Sequence, residues 1–204
     1  MSRPPGHRER KKERTRRTIA LAARELFLSK GFDETTVDEV ADASGVSRRT
    51  VFRYFPTKES MVFPERGERI DRFQELMLHE LARSNDPREA VRRTSLQMVA
   101  VFEESVEELL AQHELVSVVP GLEIVDATFD KAWEATLVMA LTSRIKEGTE
   151  EAMYARLRAG ALIGVIRAGF NEWFQSGATL DLMHIAEEAM IMVLGPRPTD
   201  EEER

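Results

Sequence analysis

The chain has 204 residues, 42% of them apolar, a formal net charge of −7 and no cysteine. That is room for one small and one larger domain, and it excludes disulfides, iron–sulfur clusters, thiolate zinc sites and cysteine nucleophiles. Charge is divided unevenly: residues 1–60 hold 14 Lys and Arg against 9 Asp and Glu, and residues 61–204 hold 15 against 27, so a basic head precedes an acidic body and only the head suits a polyanion.

Residues 1–10, with Pro4, Pro5 and Gly6 among arginines, have little apolar surface to bury and read as a disordered basic arm. The longest uncharged apolar run, Ala159 to Ile166, falls well short of the ~20 residues of a membrane-spanning helix. No signal-peptide pattern follows the basic start, and a cytoplasmic location is expected. Apolar residues recur at helical spacing with no period-two runs, which predicts an all-α fold.

A first helix is predicted from Lys11 to Lys30, with Ile19, Ala22, Ala23, Leu26 and Phe27 on its inner face and Gly31 as its stop. Thr36 and Glu39 form a capping box that opens a second helix with Val37, Val40 and Ala41 inward, ending at Gly45. Ser47 caps a third, which reaches Phe55 and stops at Pro56. A fourth starts at Thr57, is broken near Pro64 or Gly67, and runs to about Arg83 as the link between domains. Asp86, Pro87 and Glu89 open a helix expected to reach Gln112, and Pro120-Gly121 breaks the chain. Helices from Glu123 to Lys146, Glu150 to Gln175 and Asp181 to Gly195 follow, and the end from Pro196 reads as a frayed acidic tail.

The second and third helices, joined through Ser44-Gly45-Val46, have the length and glycine position of a DNA-binding helix-turn-helix. On the third, Val51 and Phe55 face inward, which turns Arg48, Arg49, Phe52 and Arg53 outward. Arginine reads guanine bidentately in the major groove, and an aromatic edge packs on a thymine methyl. A charge run on a helix is most often a solvated face, but Arg48 and Arg49 occupy a first turn, where the helix dipole disfavours cations by roughly 0.3–1 kcal/mol each. Lys58 is expected in the first turn of the next helix. A phosphate backbone explains this placement better than stability does.

Residues 11–63 resemble the DNA-binding domain of the TetR family of bacterial transcription regulators. The resemblance is carried by Ala23, Leu26, Phe27, Gly31 and Phe32, by Thr35-Thr36-Val37 with Val40-Ala41, by Gly45-Val46-Ser47, and by FRYFPTKES from Phe52 to Ser60. It implies a homodimer, a helical C-terminal domain, and a repressor released from operator DNA by a small molecule. By position it implies that Arg48, Arg49, Thr50, Phe52 and Arg53 face bases or nearby backbone. Tyr54 and Lys58 would hold phosphates, Thr36 would offer its backbone amide to one, and Ser47 lies within the same surface. Arg53 departs from the family, which often has an aromatic there. The chain is thereby divided into an arm (1–10), a helix-turn-helix domain (11–63), a helical regulatory and dimerisation domain (64–195) and a tail (196–204).

In the body, Gly160, Gly164 and Ala168 are spaced by four and permit close helix approach, either within the chain or between two copies. Ile185, Ala189, Met192 and Val193 form an apolar seam on the last helix; together these elements suit a four-helix bundle across a two-fold axis. The family implies a ligand cavity. Candidates for its lining are Met98, Phe102, Trp133, Met139, Phe170, Asn171 and Trp173, interleaved with Ser95, Ser105 and Thr136, although a stripe of this kind is more often core. The expected effector is apolar or amphipathic, and no cofactor or metal is implied.

Two other readings compete. An enzyme is disfavoured because the four histidines lack partners at metal or catalytic spacing, and because no phosphate-binding glycine loop is present. Glu103, Glu104, Glu107 and Glu108 read as solvated surface. An architectural DNA-binding protein without ligand control is the stronger rival, and the large acidic, aromatic-bearing body argues against it.

Overall fold

The computed structural model describes the backbone of residues 7–196 and the side chains of 11–124 and 130–196; residues 197–204 of the tail and the first part of the basic arm lie outside the described residues. The described residues are helical throughout, with no strand. The elements are α1 (His7–Lys30), α2 (Val37–Ser44), α3 (Arg48–Tyr54), a 3-10 turn (Glu59–Met61), α4 (Arg66–Arg83), α5 (Pro87–Glu103), α6 (Val106–Val118), α7 (Leu122–Thr142), α8 (Glu150–Gln175) and α9 (Leu182–Leu194).

Two compact units result. The first ends at Gly67 and also takes in Ala111–Val125; the second holds Glu68–Leu110 and the chain from Asp126 onward. In the first, Ile19, Phe27, Val40, Val51, Phe55 and Met61 are buried in one core. The arrangement follows from the stripe along α1 and from α2 and α3 being too short to bury an apolar face alone. Leu115, Val119 and Leu122 are buried in that core as well. A segment that reading along the chain placed in the regulatory part therefore completes the first unit, because its apolar residues are needed there.

The second unit buries Phe73, Met77, Met98, Leu137, Leu162 and Met190 in one cluster and Val99, Leu109, Trp173 and Leu182 in another. Helix starts are set by caps: Asp86 accepts from the Arg88 amide, Thr149 from Ala152 and Asp181 from His184. Buried Arg92 of α5 donates to the carbonyl of Gly195 at the end of α9, where a cation also suits the helix dipole.

Four expected boundaries differ, each for a physical reason. Helix α1 begins at His7, within the expected disordered arm, since the straight-chain Glu, Lys and Arg that follow are good helix formers. Thr57 opens only the 3-10 turn, and the fourth helix starts at Arg66, past Pro64, which limits helix on its N-terminal side. The helix from Pro87 stops at Glu103 and a separate α6 begins at Val106. One continuous helix would set Glu103 against Glu107 and Glu104 against Glu108 as like-charged neighbours; the break moves Glu107 and Glu108 into a first turn, where the dipole favours acids. Helix α7 ends at Thr142, and Arg144 leaves the helix to donate to the carbonyl of Ser84 at 2.8 Å, beyond the end of α4.

Small residues in α8 serve close packing at a position the spacing does not single out. A Cβ on Gly169 would lie 2.5 Å from Ile185 Cγ2 of α9, whereas one on Gly164 would meet nothing within 4 Å. Of the seam expected on α9, Ile185 and Ala189 are taken up inside the protomer, while Met192 is 73% exposed.

Candidate nucleic-acid interface

Short-range polar contacts build the helix-turn-helix. The Thr36 hydroxyl accepts from the Glu39 amide at 3.2 Å, and Glu39 Oε2 accepts from the Thr36 amide at 2.9 Å, closing the predicted capping box. Lys30 also pairs with Glu39. The Lys30 ammonium, then the Thr36 amide and hydroxyl, hold the Glu39 carboxyl down at about 2, from 4.5. Helix α2 ends on Gly45 at φ 67°, a left-handed conformation that favours glycine. The Val46 amide then donates back to Ala41 at 3.0 Å. Ser47 caps α3 by accepting from the Thr50 amide at 3.2 Å.

With α3 so placed, Val51 and Phe55 are buried, and Arg48, Arg49, Phe52 and Arg53 are exposed, as the spacing predicts. Phe52 is 40% exposed. Arg48 Nη1 donates to Asp38 Oδ2 of α2 at 2.6 Å, and its guanidinium carbon lies 5.5 Å from the Phe52 ring centre. Arg53 lies over the half-buried Tyr54 ring at 5.1 Å. Arg49 has no hydrogen-bond or ion-pair partner among the described residues. The surface thus offers three arginines around an exposed ring.

Two groups assigned to phosphates by position are engaged within the chain. Lys58 Nζ donates to the carbonyls of Phe32 at 2.7 Å, Thr35 at 3.2 Å and Asp33 at 3.4 Å, and lies 4.4 Å from the Phe32 ring centre. An ammonium has three protons, and the loop between α1 and α2 takes them. The Thr36 amide, likewise, is occupied by the Glu39 carboxylate, which would repel a phosphate.

In the second unit, five of the seven proposed lining residues come together. Phe102 lies 6.3 Å from Trp133 and 5.1 Å from Phe170, and Phe170 lies 6.1 Å from Trp173. Met98 is buried in the same cluster as Phe73, a cluster against which Phe102 packs. Met139 and Asn171 do not join them: Met139 is 39% exposed and Asn171 is exposed. Helical period turns Met139 away from the buried Leu137 and Ala140, and Asn171 away from buried Trp173. Phe73, 4.5 Å from Trp133, was missed because α4 reads as a linker; its spacing of four from buried Met77 was the available signal. Thr136 accepts from Gln74 and donates within its own helix, and Ser105 makes a long 3.5 Å bond to Val101. The hydroxyls of Thr94 and Ser95 are buried without a hydrogen-bond partner, a cost the chain alone does not offset. No helix of the described residues is long and apolar enough to cross a membrane.

Comparison with known proteins agrees with this geometry. The pattern of the bacterial regulatory proteins of the tetR family matches residues 19–63, and that of the MftR C-terminal domain matches residues 85–197. The chain is 26% identical to the transcriptional regulator MftR of Mycobacterium tuberculosis over 169 residues, 81% of this chain and 83% of that one. It is 47% identical to the HTH-type transcriptional regulator TcmR of Streptomyces glaucescens over 57 residues, 28% of this chain and 25% of TcmR. Among solved structures, the TetR-family repressor FadR of Thermus thermophilus, in complex with lauroyl-CoA, superposes with a TM-score of 0.58 at 22% identity, covering 91% of this chain and 97% of FadR. With an N-terminal helix-turn-helix and a helical C-terminal region both matched, this chain belongs to the TetR family of bacterial transcription regulators.

Proposed function

We propose that the chain is a cytoplasmic repressor that binds a palindromic operator as a homodimer and is released by an apolar or amphipathic effector. The observation that carries the reading is the outward face of α3, where Arg48, Arg49, Phe52 and Arg53 are exposed and contribute nothing to the core. In this reading α3 enters the major groove. Arg48, Arg49, Thr50, Phe52 and Arg53 meet bases or adjacent backbone, Tyr54 holds a phosphate, and Ser47 sets the angle of entry by capping the helix. Lys58 and the Thr36 amide are left out, because the chain itself occupies them.

The homodimer is supported by an uncovered face on α8, Met153, Leu157, Ala161, Gly164 and Ala168, and by Ile191 and Met192 on α9. An apolar stripe of this kind needs a partner in water. The effector is supported by the ring cluster from Phe73 to Trp173 and by the unpaired hydroxyls of Thr94 and Ser95. FadR, of the same fold, binds an acyl-CoA, a ligand with the apolar body that this cluster suits.

A ligand releases DNA only by binding the DNA-incompetent arrangement more tightly. A coupling of ~1–3 kcal/mol gives about a 5–150-fold change in operator affinity, and DNA must weaken the ligand by the same factor. Titrating saturated acyl-CoA thioesters against the free protein and against its operator complex tests this, with weaker binding to the complex expected. Equal affinity in both titrations would contradict effector release and favour the architectural reading.

A further inference from the structure

We infer that Asp38 is a specificity-determining residue: its carboxylate, together with the Phe52 ring, holds the Arg48 guanidinium in position to read a guanine. The inference rests on the proposed reading of DNA by α3 and adds to it a residue on α2.

Arg48 is the first residue of α3, the end from which a recognition helix contacts bases. Its Nη1 is fixed on Asp38 at 2.6 Å, and its guanidinium carbon lies 5.5 Å from the ring centre of Phe52, four residues along the same helix. Two restraints from different helices act on one side chain. Yet Arg48 and Asp38 remain 59% and 61% exposed, so the rest of the fork stays accessible. With Nη1 held, the Nε and Nη2 edge is left to face the pair of acceptors that guanine presents in the major groove.

Folding accounts for only a small part of this carboxylate's placement. An exposed ion pair adds little stability, and the first turn of α2 gains only modestly from Asp38 as a second acid beside Glu39. An acid beside DNA also weakens binding to phosphate at every sequence. What Asp38 offers instead is discrimination: it removes rotamer freedom that Arg48 would otherwise lose on docking, and it penalises complexes in which no guanine repays its repulsion.

The test is selection from a random-sequence duplex library with the wild-type protein, Asp38→Ala, Asp38→Asn, Arg48→Ala and the Asp38→Ala/Arg48→Ala pair, followed by affinities on the selected duplex and its single-base variants. The wild type selects guanine at one position in each half-site. Asp38→Ala relaxes that preference about tenfold, within the range of one bidentate arginine–guanine contact, while tightening binding to unrelated duplex. Arg48→Ala relaxes the same position, and the pair does no more than Arg48→Ala alone. Asp38→Asn, which keeps an acceptor for Arg48, falls between wild type and Asp38→Ala and carries the comparison should the alanine variant unfold. An unchanged base preference in both Asp38 variants, relaxation at a different position from Arg48→Ala, or additive effects in the pair would overturn the inference while leaving DNA reading by α3 intact. A wild type that selects no sequence would overturn the proposed function, and this inference with it.

Discussion

Helices α2 and α3 are held by contacts made within a few residues, whereas α8 and α9 meet where the Ile185 side chain of one helix packs against the backbone of the other at Gly169. The first pair depends on Thr36 with Glu39, the left-handed Gly45 and the Ser47 cap; the second depends on Gly169 leaving room for Ile185. Local closure leaves the outward arginines of α3 with no duty in the core, so they are free to face another molecule. In the body, by contrast, Arg92 donates to the end of α9, and the rings of Phe102, Phe170 and Trp173 pack on one another. The comparison teaches that the reading surface changes by substitution without loss of fold, whereas the regulatory interior does not.

The largest effect that would sharpen this contrast comes from α8. Gly169→Ala forces a methyl group against Ile185 and is expected to destabilise the protein by about 1–3 kcal/mol, the usual cost of overpacking. Ile185→Ala in the same chain should relieve most of the clash. Gly164→Ala has the opposite sign for the separated protomer, gaining about 0.5–1 kcal/mol from helix propensity, and it weakens the proposed dimer. Denaturant midpoints as a function of protein concentration separate the two. Equal effects at Gly169 and Gly164 would remove the close approach from the account.

Lys58→Met comes next. Losing a charged donor to three carbonyls costs about 1–3 kcal/mol of stability, and it leaves the slope of operator affinity against salt unchanged, since no phosphate contact is lost. A slope shallower by about one, with an unchanged melting temperature, would restore Lys58 to the DNA and break the claim that local contacts of the head consume it.

The smallest effect is the titration of Glu39. Its carboxyl is depressed in the folded state, so its contribution is fully present above the ordinary value of 4.5 and is lost as pH falls through about 2. Between pH 4.5 and 2, the melting temperature of the wild type should fall more than that of Glu39→Gln. Parallel curves would mean that the capping box contributes nothing to the head.

Much of the head is legible in the chain because its signals are local: a capping threonine, a glycine at the turn, a capping serine and a terminating proline each act within four residues. What lies beyond that range is not legible. Leu115, Val119 and Leu122 have the spacing of any core stripe, and nothing in the spacing names the core they enter. Spacing by four at Gly160, Gly164 and Ala168 shows where a neighbour can come close, while the position where one does, Gly169, depends on where the Ile185 side chain falls. Lys58 at an apparent helix start has the same look whether it meets a phosphate or three carbonyls. The acids at Glu103, Glu104, Glu107 and Glu108 were a local signal for the break between α5 and α6, since a continuous helix would set them against one another.

Hydroxyl-radical footprinting of the wild type and of Arg49→Ala on the DNA immediately upstream of the gene tests the central claim most directly. The account predicts two protected half-sites related by a two-fold axis, about 34–36 Å or a multiple of a helical turn apart. For Arg49→Ala it predicts the same spacing and helical content, with ~1–3 kcal/mol lost at one base step in each half. A single asymmetric footprint, or an Arg49→Ala variant weakened equally on every sequence, would contradict it.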